Sequence, residues 1–210
     1  MSDTAASPVV ELSADVARHA DDCVALAAAA SAAYDAFVFH APARAEQVAR
    51  FLFDRGIAEF SPPAARLLLS AGRPVGMFAL LPAELLRKRR LAATWAMTRE
   101  PSLGVDPDAM RRLKLAAGTL MRVEDGDAYL ARIAVHPDAS GRGLGQLLLR
   151  EVVAESRRIG AARCVLDVAS DNDRAIALYR RAGFAEVGRA DVEDAAAGRR
   201  LGHLHLALTL

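Results

Sequence analysis

The feature that most constrains the fold is a strand, a glycine-rich turn, a helix and a second strand in direct succession. Residues 129–135 (YLARIAV) have the composition of a buried strand, and residues 164–169 (CVLDVA) form a second such run. Between them, apolar residues recur at helical spacing from Leu144 to Ile159. This order predicts a parallel strand pair joined by a helix, and therefore an α/β sheet.

The rest of the chain predicts further helices and strands around this unit. Helices are expected over 22–34, 44–55, 84–97 and 108–121, with another beginning after 171–173 and ending at Gly183. Two apolar runs, 65–69 and 75–80, flank a Gly/Pro turn and predict a hairpin, and 203–210 predicts a last strand. In that strand His203 and His205 alternate with leucines, which predicts that they share its exposed face. Residues 1–8 are expected to be frayed.

Composition excludes several classes of protein. With 210 residues, 53% of them apolar and 25% charged, the chain is expected to form one domain over 1–210 rather than a disordered tail. A net charge of +1 argues against a dedicated nucleic-acid binder. Cys23 and Cys164 lack the spacing of a zinc site, so we expect no metal and two buried, reduced thiols. The absence of a signal peptide pattern and of a twenty-residue apolar run predicts a cytoplasmic protein without membrane contact.

The turn between the first strand and its helix is suited to bind a phosphate or pyrophosphate. Gly141, Gly143 and Gly145 let successive backbone N–H groups point to one place, and the helix that follows adds the positive end of its dipole. A P-loop would end in Gly-Lys-Ser/Thr, whereas this turn ends in Gly145-Gln146. The dinucleotide fingerprint would need a glycine at position 146. Both of these nucleotide-binding motifs are therefore excluded.

The segment around this turn resembles the GNAT superfamily of acyl-CoA-dependent N-acetyltransferases. The resemblance covers 127–187 and includes YLARIAVHP, the glycine turn with its helix, LDVASDN and LYRRAGF, in the family's order. It implies a mixed, twisted sheet of six or seven strands with helices on both faces. It also implies an acyl-CoA-binding core over 128–187, beside which we interpret 84–127 as a helical insertion that covers the acceptor side.

The resemblance further implies a reaction and roles for particular residues. An acetyl group would pass from acetyl-CoA to a primary amine by direct attack in a ternary complex. Tyr179 would protonate the leaving thiolate, and Asn172 would contact the pantetheine arm. The remaining cofactor contacts would be backbone groups of the strand and the turn, namely Ile133, Ala134, Val135, Gly141, Arg142, Gly143, Leu144, Gly145 and Gln146.

Two positions depart from the family's pattern. Ser140 stands where the family usually has Gln or Arg, so we expect weaker but not absent cofactor binding, with Arg142 as a compensating charge. Ala131 stands where many members place the Glu that serves as base. We rank Glu124 and Asp127 first as replacement bases, while Asp167 is interpreted as facing either the cleft or a salt bridge.

Two other functions and the assembly state stay open. A non-catalytic acyl-CoA sensor would keep the cofactor turn and lack a base, as Ala131 suggests. A nucleic-acid accessory protein would use Arg87–Arg90 and Arg111-Arg112, although we interpret the first run as a solvated helix face. The sequence names neither the amine acceptor nor the acyl-chain preference, and it leaves a homodimer open.

Overall fold

The structure is a computed structural model that describes residues 10–210, and the expectation for residues 1–8 lies outside that range. Seven strands form one sheet: β1 (Val10–Ser13), β2 (Ala65–Ser70), β3 (Arg73–Pro82), β4 (Asp127–Val135), β5 (Arg163–Ala169), β6 (Ala185–Asp194) and β7 (Arg199–Thr209). Within the described residues, seven α-helices accompany them: α1 (Ala20–Ala30), α2 (Ala32–Phe39), α3 (Pro42–Asp54), α4 (Ala83–Arg99), α5 (Pro107–Ala117), α6 (Leu144–Arg158) and α7 (Asp173–Arg181).

The strands lie in the order β1-β2-β3-β4-β5-β7-β6. Among the strands of residues 10–210, only β4 and β5 are parallel, and every other neighbouring pair is antiparallel. The predicted hairpin, the parallel pair with its connecting helix and the last strand are therefore confirmed. The sequence predicted neither β1 nor β6. β1 has only four residues, and β6 is a largely exposed edge strand without an apolar run.

Helices cover both faces of the sheet, as the resemblance implied. The face covered by α6 and α7, here called the loop face, buries a core that includes Leu148, Leu166 and Leu206. The opposite face, here called the helical face, carries α1 to α5 over residues such as Met77 and Leu81. Both cysteines are buried, and burial raises the pKa of the Cys164 thiol to about 11.

The sheet splits between its two parallel strands. Residues Asp127–Tyr129 of β4 pair with Arg163–Val165 of β5. Both strands continue beyond these residues without pairing with each other. β4 stays paired with β3 as far as Val135, and β5 stays paired with β7 along its whole length. A V-shaped gap therefore opens toward the carboxyl ends of β4 and β5.

A β-bulge lies in β4 where the gap begins. Ala79 of β3 faces Arg132 and Leu80 faces Leu130, so Ala131 is an extra residue in β4. A bulge bends its strand and redirects the side chains that follow it. It increases the divergence of β4 from β5 and turns Arg132 toward the helical face.

Two predicted helices differ from those observed. The first is interrupted at Ser31, where α1 and α2 meet at 83°, and the chain stays helical to Phe39. The Ser31 hydroxyl donates to the Ala27 carbonyl (3.1 Å) and to Asp35 (2.5 Å), which stabilises this bend. The other, α5, ends at Ala117 because Gly118 follows it. Within residues 10–210, no single helix is long and apolar enough to span a membrane, and only the bent pair 17–30 and 32–39 meets length and composition criteria together.

Candidate active site

A cleft of about 1100 Å³ runs through the gap between β4 and β5 and reaches both faces of the sheet. It is lined on the loop face by the glycine turn and α7, and on the helical face by α1 to α5. Because β5 is absent from one side of β4 beyond Tyr129, alternate peptide groups over 132–135 face the gap. These peptide groups are free to pair with an extended ligand.

The glycine turn presents unused backbone donors at one end of this cleft. Gly141 and Gly143 have φ of 80° and 76°, a left-handed conformation that other residues adopt only with strain. As a result, the N–H groups of residues 141–145 donate to no other residue of the described chain. Gly145 lies inside α6, and Arg142 does not line the cleft. The turn is therefore a concave set of donors at a helix N-terminus.

Helix α7 positions the two side chains that the sequence singled out after β5. Asn172 caps the helix, since its side-chain oxygen accepts the Ala175 N–H at 3.1 Å. Tyr179 lies two turns further, is 6% exposed and packs edge-on against Phe184. Burial raises the pKa of the Tyr179 phenol well above its usual range, so it is protonated at neutral pH. Its hydroxyl donates to no other described residue, and Tyr179 lines the cleft.

On the helical face, the cleft wall contains a half-buried ion cluster that sequence analysis missed. Glu59 accepts hydrogen bonds from Arg90 Nε (2.7 Å) and Arg132 Nη1 (3.3 Å). Burial raises the pKa of the Glu59 carboxyl, but the two guanidinium groups outweigh this effect and hold it below its usual range. Glu59 is therefore an ionised structural partner of these arginines.

The basic run 87–90 is not the solvated helix face that we predicted. Arg89 is 5% exposed, and it donates to four carbonyl oxygens over 58–62 at 2.7–3.3 Å. Arg90 also points inward, to Glu59, whereas Arg87 and Lys88 are exposed in ion pairs. Because α4 places consecutive residues on different faces, four adjacent cations do not indicate which of them are buried and which are exposed.

Asp167 occupies the point where β4 and β5 diverge. It lies two residues beyond Val165, the last paired position of β5, and its carboxylate accepts the Tyr129 hydroxyl at 2.9 Å. The Met121 N–H donates to both of its oxygens, at 3.1 and 3.2 Å. Burial raises the pKa of Asp167 despite these hydrogen bonds, which act in the opposite direction. Asp167 thus lines the cleft as a carboxyl group that binds a proton more readily than a solvated one.

The prediction that His203 and His205 share an exposed face is wrong. His205 lies opposite Asp167 on β7, and its Nδ1 is 3.3 Å from that carboxylate. His203 Nδ1 lies 2.8 Å from the Thr119 hydroxyl, and burial lowers the pKa of His203 to about 4. The segment after α5 covers this face of β7, so the alternating pattern does not mark a solvent-facing side.

Glu124 and Asp127, ranked first as bases, do not line the cleft. Asp127 starts β4 at the closed end of the gap and forms a two-point ion pair with Arg163 at 2.8 and 2.9 Å. It also accepts the Glu124 N–H at 3.0 Å. Glu124 itself is half-exposed and pairs with Arg122. These positions argue against both residues as bases, because the paired strands separate them from the open gap.

The chain is similar in sequence to a characterised enzyme over part of its length. It is 41% identical to the ribosomal protein bS18-alanine N-acetyltransferase of Escherichia coli (strain K12) over 73 residues. That alignment covers 35% of this chain and 49% of the relative. The chain therefore spans about half the length of this relative, and it spans a smaller share of the length of other curated relatives.

Solved structures share the fold over almost the whole chain. An N-acetyltransferase from Staphylococcus aureus Mu50 superposes with a TM-score of 0.68 and 16% identity, covering 94% of this chain and all of that one. A Bacillus subtilis acetyltransferase in complex with CoA superposes with a TM-score of 0.54 and 12% identity, over 97% of this chain and 99% of that one. The profile of the acetyltransferase (GNAT) family matches residues 39–184, more than half of the sequence, and the chain therefore belongs to this family.

Proposed function

We propose that this protein is an N-acetyltransferase that moves an acetyl group from acetyl-CoA to a primary amine in a ternary complex. The observation that carries the proposal is the gap between β4 and β5, which ends at a turn of unused N–H donors. A pantetheine arm is an extended chain with amide groups, so it fits a gap lined by free peptide groups. A diphosphate fits the concave donors of residues 141–145.

Different residues of the cleft contact different parts of acetyl-CoA, the acyl donor. Backbone groups of Ile133 and Val135 pair with the pantetheine arm, and one N–H there polarises the thioester carbonyl. Ala134, between them, lines the cleft but points its backbone groups to β3. Residues 141–146 hold the diphosphate, with Arg142 as an exposed cation beside it. Asn172 contacts the arm from the start of α7, since only its side-chain oxygen is engaged in the cap. Acetyl-CoA supplies an activated acyl group on a thiolate leaving group.

The two chemical groups of the site lie on opposite faces of the split sheet. Asp167 projects to the helical face, beside Tyr129 and His205, whereas Tyr179 packs in the core of the loop face. An amine that enters from the helical face attacks the carbonyl carbon and gives its proton to Asp167, directly or through one water. The C–S bond then breaks on the loop face, and Tyr179 gives its proton to the thiolate. This assignment replaces Glu124 and Asp127 with Asp167 as the base.

The insertion 84–127 contributes to the acceptor side in this mechanism. Helices α4 and α5 lie on the helical face, where Asp167 projects, and α4 also supplies Arg89 and Arg90 to the cleft wall. A helical cover at this place contacts the amine rather than the CoA nucleotide. Variation within 84–127 is therefore expected to change the acceptor and leave the donor unchanged.

The experiment is an acetylation assay on a panel of primary amines, with products identified by mass spectrometry. We expect acetylated products with wild type, and a kcat about 10²- to 10⁴-fold lower for both Asp167→Asn and Tyr179→Phe. The matched control is Asp173→Asn, an exposed acid at the start of α7, which should keep wild-type kcat. Thermal shifts with acetyl-CoA should be retained in all three variants.

Two results would contradict the proposal. Acetyl-CoA binding without acetylation of any amine in the panel would favour the acyl-CoA sensor instead. No thermal shift with any CoA thioester would remove the donor site as well. Full activity in Asp167→Asn would leave the reaction in place but refute Asp167 as its base.

A further inference from the structure

The cleft continues past Asp167 into a chamber with apolar walls, here called the acceptor chamber. It lies on the helical face and is surrounded by side chains from α2, α3, α4, α5 and the turn after α5. These side chains are Phe39, Val48, Leu52, Met97, Leu113 and Leu120. Val48 and Met97 are buried in its floor, whereas Phe39, Leu52 and Leu113 are only half-buried where they face the cleft.

The mouth of this chamber is formed by the bend between α1 and α2, where small side chains lie beside Tyr34 and Asp35. Ala29, Ala30, Ala32 and Ala33 line it around Ser31, where the two helix axes turn by 83°. All four are exposed, so larger side chains are tolerated there without disturbing the core. The alanines and the bend leave open volume in front of the half-buried apolar walls.

The cations next to the chamber are already engaged within the protein. Arg89 donates to four carbonyl oxygens, and Arg90 and Arg132 both bind the carboxylate of Glu59. Arg132 also donates to the Ala131 carbonyl at 2.7 Å, while its Nε is sealed from solvent and has no partner among the described residues. An acceptor that carries a carboxylate or phosphate beside its amine would have to displace these contacts.

We propose that the acceptor is a primary amine with an aliphatic or aromatic group next to it, which the acceptor chamber takes up. This inference rests on the proposed acetyltransfer, because the amine must reach Asp167 from the helical face. Apolar groups that cover the half-exposed walls remove hydrocarbon surface from water, and each buried methylene is worth a factor of about four in affinity. An apolar alkylamine and an N-terminal residue with an apolar side chain share this chemistry.

The test is a comparison of kcat/KM along two amine series at saturating acetyl-CoA, measured by release of free CoA thiol. One series is glycinamide, alaninamide, leucinamide and phenylalaninamide, and the other runs from ethylamine to hexylamine. We expect kcat/KM to rise about 15-fold or more from glycinamide to leucinamide, which corresponds to burial of half of the leucine side chain. A parallel rise in the alkylamine series assigns the effect to the apolar group, and a rise confined to the amides assigns it to aminoacyl recognition.

A matched pair of variants locates the effect. Ala33→Phe places a ring in the mouth of the chamber, whereas Ala36→Phe places one on an exposed position of the same helix outside the cleft. We expect Ala33→Phe to lower kcat/KM for phenylalaninamide at least tenfold more than for glycinamide. Ala36→Phe should behave as wild type toward both amides. Both variants should keep the thermal shift with acetyl-CoA.

Four results would overturn the inference, and they separate it from the proposed function. A flat amide series with equal effects of both variants would refute the chamber while acetyltransfer stands. Preference for free leucine over leucinamide would instead indicate that Arg132 binds a carboxylate. A gain with octanoyl-CoA over acetyl-CoA on glycinamide, beside a flat amide series, would assign the chamber to the acyl chain. Turnover of no amine at all, with acetyl-CoA still bound, would refute the proposed function and the inference together.

Discussion

Replacement of Asp127 by alanine tests whether this acid is structural rather than catalytic. Its carboxylate is 3% exposed and accepts two hydrogen bonds from Arg163, at 2.8 and 2.9 Å. It also accepts the Glu124 N–H at 3.0 Å at the turn into β4. The variant therefore loses three hydrogen bonds where β4 and β5 begin to pair.

The structure sets the size of the expected effect. Removing one member of a fully buried ion pair costs about 3–5 kcal/mol, because the remaining charge is left without a partner. Arg163 is 40% exposed and regains water, which lowers the expected loss to about 2–4 kcal/mol. For a domain of 210 residues this corresponds to a melting temperature about 5–15 °C lower.

The assay combines thermal unfolding with kcat measured at a temperature where both proteins are folded. Asp127→Ala should melt lower and keep kcat within about threefold of wild type. The matched control is Asp125→Ala, whose carboxylate is 88% exposed in a surface pair with Arg87 and should change stability by less than about 0.5 kcal/mol. An Asp127→Ala protein that melts like wild type but loses kcat 100-fold would refute this reasoning and restore Asp127 as a base.

Three further predictions test other parts of the structure. Gly143→Ala should raise the Kd for acetyl-CoA about tenfold, as measured by calorimetry. The control Gly160→Ala has a similar φ of 74° and equally open space around it, so it should carry the same strain of about 1 kcal/mol. It should nevertheless bind acetyl-CoA as wild type does. Burial lowers the pKa of His203 from 6.5 to about 4. Between these values the unfolded chain binds more protons than the folded protein, so the free energy of unfolding falls as the pH falls. In urea titrations, His203→Gln should remove about 3 kcal/mol of that fall. Arg89→Met should lower the free energy of unfolding, measured in urea, by about 3–5 kcal/mol, because four carbonyl oxygens near residue 60 lose their donor. A loss below about 1 kcal/mol would contradict a structural role for Arg89.

The strand, turn and helices that form the proposed donor side were predictable because their determinants are local. Three elements form this side: the strand over 129–135, the turn with Gly141 and Gly143, and the helix that carries Tyr179. Each of them is one continuous stretch of the chain. Periodicity and glycine content describe each of them before any packing is known. The family resemblance added the sheet and its two-faced cover, which the fold confirms.

The acceptor side was not predictable from residue patterns. Glu59, Arg90 and Arg132 are far apart in the chain and meet only because α4 and β4 pack beside the segment after α3. Their charges resemble those of surface residues until the partner is known. The same holds for His203, which the segment after α5 covers.

The sequence by itself determined the backbone elements of the proposed donor site, because the φ angles of the glycine turn and the strand and helix periods are properties of neighbouring residues. Only the tertiary structure decided which acid faces the open gap. Asp127 and Asp167 lie on adjacent strands, look alike in sequence and are both almost fully buried. Asp127 is held by Arg163 where β4 and β5 pair, whereas that pairing ends before Asp167, which lines the cleft. The charge state of a side chain and the groups that it contacts are set by burial and long-range contacts. Burial and long-range contacts depend on residues that are distant in the chain.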